Sequence, residues 1–273
     1  AVTIAQMLSH QAGLSGFVDP IDPALWLDPP ACAAAIAALH PIWPLGGGSG
    51  YHPLTWGYLA GELALRLSGE SLGTTLRRIF TNSDGADPSR EIIDFRIGTS
   101  ASEHPRIADL KKPKSLSSFG EINAETKAAF LTKWSAADRR EPAWREKEIP
   151  SANGIGTAAA TARLYSVYAH RGRLGDQQIL SDDTFDALTA RRVIGQDRVL
   201  PFVMEFAAGV KRNNNLIFGP NPNTLGHAGW GGSAAFGDPE AEIAGAYVCN
   251  QQGAHLQGDP RATRMFEALY ACL

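Results

Sequence analysis

Cysteine is scarce. Cys32, Cys249 and Cys272 are three among 273 residues, far apart and without a C-x-x-C pair. An odd, scattered set excludes a disulfide framework and a structural zinc site, and these residues read as small buried hydrophobes. Nor does one sign of charge dominate. Lys plus Arg number 25 against 28 for Asp plus Glu, a net charge of −3, which leaves no basic footprint for nucleic acid. The one basic cluster, Lys111-Lys112-Pro113-Lys114, is short, contains a proline and reads as a solvated loop. No apolar run reaches the ~18 residues that a membrane span needs. The most apolar early stretch, residues 31–39, soon meets Pro41 and Pro44. Metal-ligand clusters, phosphate loops and internal repeats are missing too, so no cofactor is implied. The chain opens Ala-Val-Thr-Ile, without Met or a signal-peptide layout, as a processed protein or part of a longer product would.

What is present is the composition of a globular protein, 44% hydrophobic and 19% charged, with enough chain for one or two domains. Thr3 can cap a helix through Ile4, Met7 and Leu8 that Gly13 would close. Residues 15–50 are rich in Pro, Gly and Asp, with one Ala-rich helix at 30–39; such a loop is functional or covers something. Leu59, Leu63 and Leu67 recur at helical spacing before Gly69, and Ser71 starts a second helix ending near Phe80. The stretch 81–150 is irregular, with helix at 124–137. Gly154–Gly156 introduces a helix at 158–171 closed by Gly172, and Ser181 caps another through Leu188.

The tail changes character. Segments 206–210, 224–228, 233–237 and 243–249 read as successive antiparallel strands, with Asp238-Pro239-Glu240 as a turn and a final helix at 261–271. Helices, then a meander, then a helix give an α+β fold. Residues 1–190 form a mainly helical region, and residues 191–273 an antiparallel sheet with the C-terminal helix.

Three segments hold residues able to carry chemistry. They are Leu8-Ser9-His10-Gln11-Ala12-Gly13-Leu14, Gly50-Tyr51-His52-Pro53-Leu54-Thr55-Trp56-Gly57, and Gly226-His227-Ala228-Gly229-Trp230-Gly231-Gly232-Ser233. Taken singly, they read as a histidine satisfied by local hydrogen bonds, a loop tyrosine, and a glycine-rich hairpin with a half-buried histidine. In this order they resemble the penicillin-recognising serine hydrolases, the group of class C-type β-lactamases, D-Ala-D-Ala peptidases and family VIII carboxylesterases. A fourth stretch, residues 149–164, resembles a segment bordering the cleft of that group, where it positions a helix.

The resemblance implies the serine β-lactamase/D-Ala carboxypeptidase-like fold and a role for each matching residue. His10 would be structural. Tyr51 would be the proton carrier, a role for which a phenol titrating near ~10 needs cations to lower its pKa. His227, in a His-x-Gly form of the Lys-Thr-Gly element, would place a polar or partly cationic group nearby. Ala228 and Gly229 would let an acyl group lie along the strand, and the Trp230 amide would help bind the oxyanion. Pro53 stands where the β-lactamases have an Asn amide, which points to the esterase branch. Trp26, Trp43 and Trp56 would form an aromatic wall or simply core.

One family element has no match. No serine here has a lysine three places on, so the Ser-x-x-Lys nucleophile is absent. Because the first matching segment follows the nucleophile helix in the family, the N-terminal part of the fold is expected outside this chain, on an absent segment or a separate polypeptide. The function implied is a carboxylesterase acting through an acyl-serine on a small ester or amide. A β-lactamase or D-Ala-D-Ala peptidase is the nearer alternative, and a silent binding or scaffold homologue the competing class.

Overall fold

The computed structural model describes residues 1–82, 85–115, 118–132 and 142–273. Its contacts group into two compact units. The first is Ala1–Ile107, Glu121–Ile155 and Gly195–Phe202; the second is Ala108–Gly120, Gly156–Ile194 and Val203–Leu273.

The first unit is mainly helical. Helix α1 (Ile4–Leu8) starts with a capping box, in which Thr3 Oγ1 accepts the Gln6 N–H at 3.2 Å and Gln6 Oε1 accepts the Thr3 N–H at 3.0 Å. It ends at Leu8, well short of Gly13. Ser9 Oγ donates to the Ala5 carbonyl at 2.6 Å, and His10 takes a left-handed φ of 61° that breaks the helical path. Helix α2 (Pro29–Ala37) begins on Pro, with Asp28 as its cap. Helix α3 (Thr55–Ser68) stops at Gly69, whose φ of 74° suits a residue without Cβ. Helix α4 (Leu72–Leu76) is capped by Ser71 and continues as a π-helical turn, Arg77–Thr81. Helix α5 (Ala124–Thr126) runs on through Lys127–Leu131; residues 133–137 of the expected stretch lie outside the described residues.

Trp26, Cys32, Ile36, Tyr58 and Ile149 form the centre of this unit's core. Trp26 and Trp43 are buried, so both are core rather than wall, while Trp56 is half-buried with Nε1 donating to the Leu8 carbonyl at 3.0 Å. Only Cys32 fits the buried-hydrophobe reading of the cysteines. Cys249 is half-buried and Cys272 exposed, because each falls at or near the end of its element.

Strand β1 (Phe95–Ile97) pairs with β2 (Gly154–Gly156), so the glycines read as a helix lead-in are themselves extended. Helix α6 (Pro142–Glu146) precedes them, and the loop between is fastened by Asn153. Its Oδ1 accepts the Ile149 N–H at 2.9 Å, and its Nδ2 donates to the carbonyls of Trp144, at 2.7 Å, and Lys147.

The second unit is a sheet between helices. Helix α7 (Ala158–Ala169) is capped by Thr157 and ends on His170, before left-handed Arg171 and Gly172. A short hairpin, β3 (Arg173–Leu174) with β4 (Gln177–Gln178), leads to α8 (Asp182–Thr189), capped by Ser181. Strands β5 (Val193–Gln196), β6 (Val203–Phe206), β7 (Lys211–Arg212), β8 (Leu225–Ala228), β9 (Ala234–Asp238) and β10 (Ile243–Tyr247) run in the order β10-β9-β8-β7-β6-β5. The four ladders from β6 to β10 are antiparallel. Segment 206–210 is not a strand beyond Phe206, the last residue of β6. Ala207 N–H closes on the Val210 carbonyl at 2.9 Å and Gly209 has a φ of 92°, which makes it the turn joining β6 to β7.

The pleat assigns β9's neighbours. Phe236 meets Phe266 of α9 (Pro260–Tyr270) with ring centroids 4.9 Å apart, while a Cβ on Gly237 would sit 2.3 Å from the Tyr165 carbonyl of α7. One face therefore takes α9, and the other lets α7 come down onto bare backbone.

Asn153 supplies the sharpest stability test. Truncation in Asn153→Ala leaves one N–H and two carbonyls of a buried loop unpaired, at about 1–3 kcal/mol for each group that water cannot reach. A fall in urea-unfolding stability of about 3 kcal/mol is expected, and a change under 1 kcal/mol shows the staple to be redundant.

Candidate functional site

Tyr51 lies in the first unit, on a loop held from three directions. Asp197, a buried carboxylate 146 residues away, accepts the Tyr51 N–H at 2.9 Å on Oδ1 and the Ser49 hydroxyl at 3.0 Å on Oδ2. Its Oδ1 also takes the N–H groups of Val199 and Leu200, at 3.0 and 2.9 Å, in an Asx turn. Burial pushes this carboxyl above its ordinary value, and the four donors pull it back.

The second hold is His52. Its Nε2 accepts the Leu14 N–H at 3.0 Å, so the proton sits on Nδ1, which donates to the Gly50 carbonyl at 2.6 Å. Burial lowers the imidazole to about 4, only partly opposed by the bond to Gly50, and the ring is therefore neutral. The third hold is His10. Nδ1 accepts the His52 N–H at 3.1 Å, the carbonyl accepts the Gly50 N–H at 3.0 Å, and the ring lies 4.9 Å from that of Tyr51. His10 is thus held, at Nδ1 and at its carbonyl, by hydrogen bonds to a segment about 40 residues further along the chain, not by local ones. Gly50 itself must be glycine, since a Cβ there would fall 2.5 Å from the Trp43 ring.

Tyr51 is half-buried, and its hydroxyl is pushed well above the ordinary phenol range by burial and then by the charge of Asp197. As it stands in this chain, it is a phenol and not a phenolate.

His227, Ala228, Gly229 and Trp230 lie in series in the second unit, on β8 and the turn beyond it. His227 faces Ala235 and Ala228 faces Ala234 across the ladder, so small side chains flank the strand. Burial, helped by the charge of Lys211, lowers His227 to about 4. It is a neutral polar group, not the partly cationic one the sequence allowed. Lys211 is buried on β7 and is lowered to about 8 by burial, with Nζ donating to Asn215 Oδ1 at 2.7 Å and the Arg212 carbonyl at 3.2 Å. After β8 the Gly229 N–H closes on the Ser233 carbonyl at 2.7 Å, and Trp230 stands exposed, edge-on to Phe119 at 6.1 Å.

Sequence reasoning missed Asp197, His52 and Lys211 as shapers of these segments. The Asp197-Arg198-Val199-Leu200 run carries an Asx-turn signal, but nothing local says that its other oxygen reaches Ser49. Among the described residues no group of His, Cys, Asp and Glu is disposed to hold a metal, and no helix is long and apolar enough to cross a membrane.

Comparison with known proteins places these segments in a family context. The model of the Beta-lactamase family matches residues 1–270. The esterase/beta-lactamase LipL of Mycobacterium tuberculosis is 29% identical over 263 residues, which is 92% of this chain but only 59% of that protein. A penicillin-binding protein homologue from Caulobacter crescentus superposes with a TM-score of 0.94 at 48% identity, covering 100% of this chain and 72% of its own. A family VIII carboxylesterase superposes with a TM-score of 0.89 at 33% identity, covering 100% and 71%.

The two neutral histidines make the fold sensitive to acid. Between about 4, the folded value of His52, and the ordinary 6.5, the unfolded chain takes up a proton that the folded chain refuses. The stability contributed is complete above that window and is lost as pH falls through it, at ~1.4 kcal/mol per pH unit and about 3 kcal/mol in all. His227 acts in the same window. Urea midpoints should therefore decline steadily from pH 7 to 4.5, and imidazole NMR shifts should show both rings neutral at pH 6. A His52 titrating near 6.5 in the folded chain refutes the assignment.

Proposed function

Because the chain belongs to the Beta-lactamase family, we propose that it is the larger part of a serine hydrolase that cleaves carboxylic esters through an acyl-serine intermediate. The nucleophile is the serine of a Ser-x-x-Lys element outside this chain. Kept as phenolate by the ammonium of that element, Tyr51 takes the hydroxyl proton as the serine oxygen attacks the ester carbonyl, and the Trp230 N–H donates to the tetrahedral oxyanion that forms. Ala228 and Gly229 leave room for the acyl group along β8. Collapse breaks the bond to the alkoxide, which takes a proton from Tyr51. Water then attacks the acyl-serine, its proton passing to the Tyr51 phenolate and on to the departing serine oxygen, and the acid is released. His227, neutral, polarises the strand side of the substrate without adding charge.

The observation that carries this reading is the seating of Tyr51. A buried carboxylate holds the Tyr51 backbone, and two histidines and an obligatory glycine fix the residues on either side of it, which is the investment expected for a group that must be aimed. Pro53, in place of the amide that the β-lactamases carry, supports esters with short acyl chains over β-lactams or D-Ala-D-Ala peptides. Likeness to a family VIII carboxylesterase and to an esterase/beta-lactamase supports the same choice.

One observation favours a second reading, a silent binding or scaffold homologue. No Ser-x-x-Lys occurs in these 273 residues, and burial and the charge of Asp197 hold the Tyr51 hydroxyl above its ordinary range. A fluorophosphonate probe read by intact mass separates the two. This chain alone should take no label and hydrolyse p-nitrophenyl acetate hardly at all, whereas the protein that includes the nucleophile segment should gain one adduct. In that protein Tyr51→Phe should lower kcat by about 10²- to 10⁴-fold. A whole protein with no Ser-x-x-Lys and no adduct ends the hydrolase reading.

A further inference from the structure

The turn after β8 is gripped from behind by an ion pair at the start of α9. Arg261 forks onto Asp259, with Nε at 2.9 Å from Oδ1 and Nη2 at 2.8 Å from Oδ2, and the Asp259 side chain is almost wholly buried. Asp259 also caps α9, accepting the Arg261 N–H at 3.0 Å. The rest of the guanidinium is not idle: Nη1 donates to the Gln251 carbonyl at 2.8 Å, and Nη2 to the Gly231 carbonyl at 3.2 Å. That carbonyl accepts also from the Gly253 N–H at 2.8 Å and from the Cys249 thiol at 3.5 Å.

The backbone is cut to fit. Gly231 and Gly232 have φ values of 105° and 115°, open only to residues without Cβ. A Cβ on Gly232 would lie 2.6 Å from Asp259 Oδ2 and 2.7 Å from Arg261 Nη2. Glycine here lets an ion pair press directly against the chain.

Peptide planarity passes this grip along. The Gly231 carbonyl and the Gly232 N–H belong to one rigid plane, so fixing the first aims the second. The Gly232 N–H donates to the Gly229 carbonyl at 3.1 Å. That carbonyl shares its own plane with the Trp230 N–H, which must point the opposite way. Two rigid planes joined by one hydrogen bond thus connect the guanidinium to the Trp230 amide.

We propose that Arg261 is a positioning residue for acyl transfer: by holding the Gly231 carbonyl against Asp259 it sets the direction of the Trp230 N–H. The proposal rests on the reading of that N–H as an oxyanion donor. A lysine at 261 can restore the charge opposite Asp259, but a single ammonium lacks the planar fork that reaches both the carboxylate and the Gly231 carbonyl. Arg261→Lys therefore separates holding the fold from aiming the amide.

The experiment uses the whole protein, nucleophile segment included, in a Cys272→Ser background, with Arg261→Lys and Arg261→Gln compared. Both variants should lose about 10- to 100-fold in kcat on p-nitrophenyl acetate with KM within about twofold, and Arg261→Lys should keep its thermal midpoint. Cys249, which touches the same carbonyl, reports on the turn without any turnover, and its reaction with Ellman's reagent should quicken at least about tenfold in both variants. Full kcat in Arg261→Lys, or an unchanged thiol rate in Arg261→Gln, overturns the proposal. An unsubstituted protein without turnover sinks the hydrolase reading beneath it, and the thiol rates then decide separately whether Arg261 grips the turn.

Discussion

The carboxylate of Asp197 is the constraint on which the Tyr51 loop depends. It is buried, and a buried carboxylate persists only where donors replace the water it has lost. Here four donors do so, two from the turn 198–200 and two from Ser49 and Tyr51. None is a cation. The stabilisation comes from hydrogen bonds alone, so the carboxyl is drawn upward by desolvation while its geometry stays fixed. The same charge makes Tyr51 harder to ionise, which links the loop's architecture to the chemistry of its phenol.

A second buried carboxylate solves a similar problem differently. Asp259 also fastens a loop, but it faces a guanidinium, which holds it below the usual carboxylate range. The contrast is instructive. At the Tyr51 loop the fold uses uncharged donors. Where a loop carries only backbone, as at Gly231 and Gly232, the fold can bring a full ion pair against it. Neutral His52 and His227 fit the first pattern, since their burial removes positive charge from the segments on either side of them.

Much of the architecture is written in short-range signals. Thr3, Ser71, Thr157 and Ser181 cap the helices they precede, Gly69 stops α3, and Asp238-Pro239-Glu240 turns between β9 and β10. Each rests on contacts within four residues. The errors share an opposite origin. Segment 206–210 looks like a strand because Phe206, Ala207 and Val210 are apolar, but only Phe206 is in a ladder, and Ala207 and Val210 are buried by packing with Phe185 and Leu225. Helix α1 stops before Gly13 because His10 turns away to hold Gly50, some 40 residues on. For the candidate site, Tyr51 and the run from His227 to Trp230 are singled out by resemblance alone. Asp197 and Arg261 are not, since a carboxylate's distant oxygen and a guanidinium's last two protons leave no local pattern.

The missing lysine and the state of Tyr51 are one problem. A phenol that titrates above its ordinary range can give a proton to a departing alkoxide at neutral pH, but it cannot take one from a serine. To act in both directions it needs a positive charge close by, strong enough to offset burial and Asp197 together. On the proposed function, the ammonium of Ser-x-x-Lys fills that need, so the segment that brings the nucleophile also brings the charge that makes its proton carrier competent. On that reading nucleophile and base are switched on together.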